Sequence, residues 1–225
     1  MRTIGRLHES SVGQKALMAA SGVVLVLFVV GHMLGNLKAY QGPAKFDAYA
    51  EFLRTAGAPL LGHGQLLWLV RLVLLAAVSL HVGLAWRLYR RSRHARPIGY
   101  QKFDDLSLAY ASRTMRWGGL IILAFVVYHL LHLTTGTVHP EFHPGSPYRN
   151  LIVGFQSWPA SAAYVAAMVP LGLHVYHGLW SSSQSLAVRN PTVLHVRRIA
   201  AACVAAAIVL GNGSIPVAVL AGILS

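Results

Sequence analysis

Five long apolar runs dominate the chain and leave few folds open to it. Each can cross a hydrocarbon core of about 30 Å, which takes about 20 helical residues. The runs extend roughly from Ala16 to Leu37, Leu66 to Arg87, Trp117 to Val138, Pro159 to Ser181 and Arg198 to Leu220. In lipid the backbone must satisfy its own hydrogen bonds, so continuous apolar runs predict helices. A membrane barrel would show short alternating strands instead. The expected fold is all-α, an integral membrane bundle of five transmembrane helices forming one domain over 1–225. Only 11% of the residues are charged, against about 25% in soluble domains. Pro159 suits the first turn of the fourth helix. Pro170 and Pro216 fall inside helices and predict kinks.

The net charge is +13, from 19 Lys and Arg against 6 Asp and Glu. In a soluble protein this balance would suggest nucleic acid; here basic loops on one side of a membrane explain it, and no nucleic-acid partner is expected. One flank carries Arg2, Arg6, Lys15, Arg87, Arg90, Arg91, Arg93, Arg96, Lys102, Arg113, Arg116, Arg189, Arg197 and Arg198. The other carries Lys38, Lys45, Arg54 and Arg149. The positive-inside rule therefore places the N-terminus in the cytoplasm and the C-terminus outside. The basic loop 90–116 suits acidic lipid headgroups or a cytoplasmic partner. Loop 39–65 reads as partly helical, with Phe46, Tyr49, Ala50 and Leu53 on one side. Loop 139–158, with Pro140, Pro144, Gly145 and Pro147, reads as irregular. No internal repeat stands out, and no cleavable signal is read ahead of the first run.

Of 12 histidines, six fall in or at the spans: His32, His81, His129, His132, His174 and His177. Ionisable residues at membrane depth are rare and usually functional. With a rise of about 1.5 Å per residue, His32 lies about 24 Å above the cytoplasmic end of its span, His129 about 18 Å and His132 about 22 Å. His81 lies only about 9 Å up, His174 about 10 Å and His177 about 6 Å. The imidazoles thus form two layers, an outer one of His32 with His129 or His132 and an inner one of His81 with His174 or His177. Two layers, each drawing on two helices, are what two bis-histidine b-type haems require. There is no CxxCH for covalent attachment.

Other uses of these side chains fit less well. Zinc would want four ligands at one level. A proton relay would usually add intramembrane Asp or Glu, and no span contains one. The lone Cys203 excludes an internal disulfide and a cysteine-ligated iron–sulfur cluster in this chain. Arg71, about one turn inside the second span, could pair with haem propionates or snorkel to the headgroups. Arg113 and Arg116 flank the third span. Gly118, Gly119 and Gly172 permit close approach of a helix or a haem face.

The motifs then become specific. Ser11-Val12-Gly13-Gln14-Lys15 leads into Gly31-His32-Met33 and Gly35-Asn36. Ala111-Ser112-Arg113-Thr114-Met115-Arg116-Trp117-Gly118-Gly119 leads into Val126-Val127-Tyr128-His129-Leu130-Leu131-His132. Leu171-Gly172-Leu173-His174-Val175-Tyr176-His177-Gly178-Leu179-Trp180 follows. Over nearly its whole length the chain resembles the five-helix, di-haem cytochrome b anchor (b558 family) of succinate dehydrogenase and fumarate reductase. The resemblance implies axial ligands at His32, His81, His129 and His174, pairing His32 with His129 and His81 with His174. His132 and His177 would then support ligands or propionates from one turn along. Some family members carry a glutamate, tied to proton movement, where this chain has Gly172; such a pathway is not expected here.

The same resemblance implies two haem b groups and a quinone, menaquinone by analogy. It implies a flavoprotein partner with FAD, an iron–sulfur partner, and a bacterial cell (inner) membrane as the location. The chain itself has no G-x-G-x-x-G flavin fingerprint and no cysteine cluster. Its expected work is electron transfer, quinone docking and anchoring, with no succinate-oxidising site of its own. The rivals are a cytochrome b anchor of a hydrogenase or formate dehydrogenase, and a transport or structural bundle whose histidines only bond helices together.

Overall fold

The computed structural model describes residues 10–95, 106–184 and 191–225, with side chains at 10–95, 114–182 and 192–225. Arg2, Arg6, Arg96, Lys102 and Arg189, and the side chain of Arg113, lie outside the described residues. The fold is all-helical. Helix α1 (Ser11–Asn36) runs into a 3₁₀ turn (Leu37–Gln41) and a short helix α2 (Pro43–Thr55). Then come α3 (Gln65–His94), α4 (Leu106–His129) with a π-helical turn (Leu130–Thr134), α5 (Pro147–Gln156), α6 (Trp158–Gln184) and α7 (Pro191–Leu220). Among the described residues, five helices are long and apolar enough to cross a membrane, making this a multi-pass bundle.

Four spans begin or end beyond their apolar runs, because hydropathy marks only the part of a helix that lipid covers. Helix α1 starts five residues before Ala16, where the Gly13 N–H donates to the Ser10 Oγ at 2.9 Å. Helix α3 continues from Arg87 to His94, and its last turn holds Arg91, Arg93 and His94, whose charge suits a helix C-terminus. Helix α4 begins at Leu106 instead of Trp117, and α7 begins at Pro191, a first-turn proline, instead of Arg198. Pro170 and Pro216 lie inside α6 and α7, which continue through them.

The loops meet at one end, called here the capped end; the other, where α3 finishes in arginines, is the basic end. Helix α2 has Phe46 buried and Tyr49, Ala50 and Leu53 half-buried, as its pattern predicts. The irregular reading of 139–158 fails over Pro147–Gln156, which is α5. Pro147 starts that helix instead of breaking one, and Tyr148, Leu151, Ile152 and Phe155 form its buried stripe. The third span ends at Thr134, short of Val138, because the Thr135 N–H donates to the Leu130 C=O at 2.9 Å in a widened turn. The main apolar core lies at the capped end, joining α5, Tyr164 of α6 and Ile215, Ala218 and Val219 of α7.

Helix packing follows pairs. Helix α1 lies on α3, α4 on α6, and α7 on α6. Between the described parts of α1 and α4, or of α3 and α6, there is no extended contact. Helix α1 also touches α6 and α7, so the two pairs adjoin along that side, and the histidines lie between the helices that do not pack on each other.

Candidate functional site: two histidine pairs between helix pairs

At the capped end, His32 of α1 and His129 of α4 bring their ring centres to 5.8 Å, with planes at 86°. At the basic end, His81 of α3 and His174 of α6 stand 6.1 Å apart at 62°. Each pair spans helices that do not otherwise pack together. All four rings are half-buried.

The two helix pairs are built alike. Gly22 of α1 lies against the His81 ring, where a Cβ would come 3.2 Å from Cε1. Gly119 of α4 lies against the His174 ring, where a Cβ would come 3.6 Å from Cε1. Ten residues beyond each glycine stands the histidine of the other tier, His32 on α1 and His129 on α4. That spacing sets the tiers about 15 Å apart along the bundle. The likeness lies in placement, with little residue identity to announce it.

Hydrogen bonds fix one ring in each tier. Because Gly22 lacks a side chain, the Met18 carbonyl one turn below is open to His81, whose Nδ1 lies 3.1 Å from it. A carbonyl only accepts, so Nδ1 carries the proton and Nε2 keeps its lone pair. Ser21 Oγ, itself donating to the Met18 carbonyl at 2.9 Å, lies 3.3 Å from the same nitrogen. At the capped end His129 Nδ1 lies 3.1 Å from the Tyr164 hydroxyl. The Nδ1 of His174 is buried without a hydrogen-bond partner.

The remaining predicted residues sit elsewhere. His132, 1% exposed, turns away from His32 and also places Nδ1 3.1 Å from the Tyr164 hydroxyl. It stacks between Tyr128 (5.5 Å) and His139 (5.1 Å). His177 lies edge-on to Trp180 at 5.8 Å. The exposed Arg71 guanidinium lies 4.9 Å over the Trp68 ring. Arg116 caps the Tyr89 ring of α3 at 5.0 Å. Gly118 approaches Pro170, and Gly172 packs against Val209 of α7, so a side chain at 172 would meet that helix.

Tyr164, His139 and Asn150 were not foreseen. His139 donates from Nε2 to the Asn150 carbonyl at 2.8 Å and accepts the Glu141 N–H on Nδ1 at 3.0 Å. The Asn150 side chain takes the His143 N–H at 2.9 Å and donates to the His143 carbonyl at 2.8 Å. This buried amide clamps the 139–146 segment onto α5. Asn150→Leu is expected to destabilise the chain by about 1–3 kcal/mol by leaving both His143 groups without their partner. Thermal unfolding in detergent checks it.

The pairs can be tested against the group they suggest. A metal-bound imidazole nitrogen lies about 2.0–2.1 Å from the metal and its ring centre about 1.1 Å further, so two imidazoles on opposite faces of one iron have centres about 6.3 Å apart. At 5.8 and 6.1 Å, both pairs come within about half an ångström of that spacing. The ring planes are free to differ, since each imidazole turns about its own bond to the metal. Among the described residues no three His, Cys, Asp or Glu side chains converge as a bare metal ion would want. Pairs suit a porphyrin, which already supplies four nitrogens. Compared with protein-family models, curated proteins and solved structures, the chain matches none.

Proposed function

We propose that this chain is the di-haem cytochrome b anchor subunit of a succinate:quinone oxidoreductase in a bacterial cell membrane. The observation that carries the reading is the pair of imidazoles in each tier, at 5.8 and 6.1 Å, on helices that make no extended contact otherwise. The likeness of the motifs around His32, His129 and His174 to that anchor family supports this choice of complex. Haem b bound in each tier would supply reversible one-electron transfer. His81 and His174 would hold the group at the basic end, and His32 and His129 the one at the capped end. The Met18 carbonyl keeps the His81 Nε2 lone pair available, as metal-bound histidines generally require of a neighbour. The apolar helix walls keep water from the tiers.

In this reading a flavoprotein subunit carrying FAD oxidises succinate, and an iron–sulfur subunit passes electrons to the anchor at its arginine-rich end. The chain then delivers them across the tiers to a membrane quinone, menaquinone by family analogy. Arg87, Arg90, Arg91, Arg93 and Arg116 make that end suitable for an acidic partner or acidic lipid. In membranes holding the complete complex, succinate is expected to reduce b-type haem bound to this chain, and added quinone to reoxidise it. Reduction by formate or hydrogen with none by succinate would assign the anchor to a different dehydrogenase.

A further inference from the structure

Each tier anchors one of its two histidines through Nδ1, and the anchors differ in kind. His81 meets a carbonyl, which accepts and does nothing else. His129 meets the hydroxyl of Tyr164, which both accepts and donates. We propose that Tyr164 is the positioning residue for His129: its oxygen accepts the hydrogen bond from Nδ1–H, holds Nε2 as the nitrogen offered to a haem iron, and sets how strongly that nitrogen donates. The inference rests on the di-haem reading above.

The geometry around the hydroxyl is specific. Tyr164 is buried among apolar neighbours, its ring edge-on to Phe155 at 4.8 Å and Phe125 at 4.9 Å. Its oxygen stands 3.1 Å from Nδ1 of both His129 and His132. With one proton and two lone pairs it can accept from His129 while donating to His132. His132 is itself held, stacked on His139, whose two ring nitrogens are both bonded to backbone. The hydroxyl is therefore braced from behind by α5 and the 139–141 segment, and cannot swing off His129 at little cost. The π-helical turn at Leu130–Thr134 follows His129 directly and carries His132 to the same oxygen.

A hydrogen bond from Nδ1–H gives the imidazole more anionic character and favours ferric iron. Removing the acceptor should favour ferrous iron in the capped-end haem alone. The test is a redox titration of the full chain in its complex, with the capped-end wave identified as the one that His129→Ala abolishes. Tyr164→Phe is expected to keep both haems and to raise the ferrous-to-ferric ratio of that wave about three- to tenfold at a fixed potential, where tenfold corresponds to about 59 mV for one electron. The low-spin resonance of the same haem should shift with it. Tyr128→Phe, which alters a ring stacked on His132 but no hydrogen bond to either histidine, should leave both waves in place. Should the phenylalanine variant lose the capped-end haem, 3-fluorotyrosine placed at 164 decides. It preserves the packing, accepts more weakly, and should move the wave in the same direction by less. A capped-end wave unmoved by whichever substitution retains the haem would overturn the assignment of Tyr164. A wild-type chain without haem would overturn the di-haem reading instead, so the two failures are distinct.

Discussion

Alanine at His81 or at His174 is expected to cut the haem bound per chain from two to one, with the loss confined to the basic end. A haem held by two imidazoles from separate helix pairs loses half its protein ligation with either substitution, and nothing nearby can replace it. His177, one turn along α6, lies against Trp180 and not in the tier. His132 is committed to Tyr164 at the other level. The capped-end pair shares no contact with His81 or His174, so its spectrum should survive intact. The reciprocal variants, His32→Ala and His129→Ala, should remove the other haem. Pyridine haemochrome content and the low-spin resonances of purified complexes measure both. Two intact haems after either basic-end substitution would mean that these rings are not the ligands.

Valine at Gly154 is expected to have the second-largest effect. A Cβ there would come 2.9 Å from Nε2 of His139 and 3.0 Å from Cε1 of His132. Neither ring can yield easily. His139 is tied at both nitrogens, and His132 is stacked between His139 and Tyr128. Helix α5 must therefore lift, or the rings must press on Tyr164 and through it on His129. Overpacking of this kind costs about 1–3 kcal/mol. The complex should melt at lower temperature and lose capped-end haem, while the basic-end haem persists. Loss of both haems together would contradict the separation of the tiers, and an unchanged complex would contradict the close packing of α5.

The five spans and the layering of the histidines were legible because both follow from hydropathy and a constant rise per residue. The ends of the helices were not, because Ser10 and the arginines after Arg87 act through capping and charge, which hydropathy ignores. Helix α5 was hidden by the prolines around it, although Tyr148, Leu151, Ile152 and Phe155 already had helical spacing. Depth alone slightly favoured His132 over His129 as the partner of His32, whereas the ring beside His32 is His129. The π-helical turn decides that matter locally, leaving His129 opposite His32 and carrying His132 towards α5. Arg71 shows the complementary limit: depth set its level, but rotation about α3 put it on Trp68. The level of Tyr164 was legible in the same way. It stands ten residues before His174, about 15 Å higher on the same helix, and so at the level of His129.

The most direct test is an experimental density map of the complete complex in lipid. The account predicts a flat porphyrin between the rings of His32 and His129 and a second between those of His81 and His174, with the iron of each bonded on both faces. Side chains or acyl chains packed between either pair of rings would contradict it.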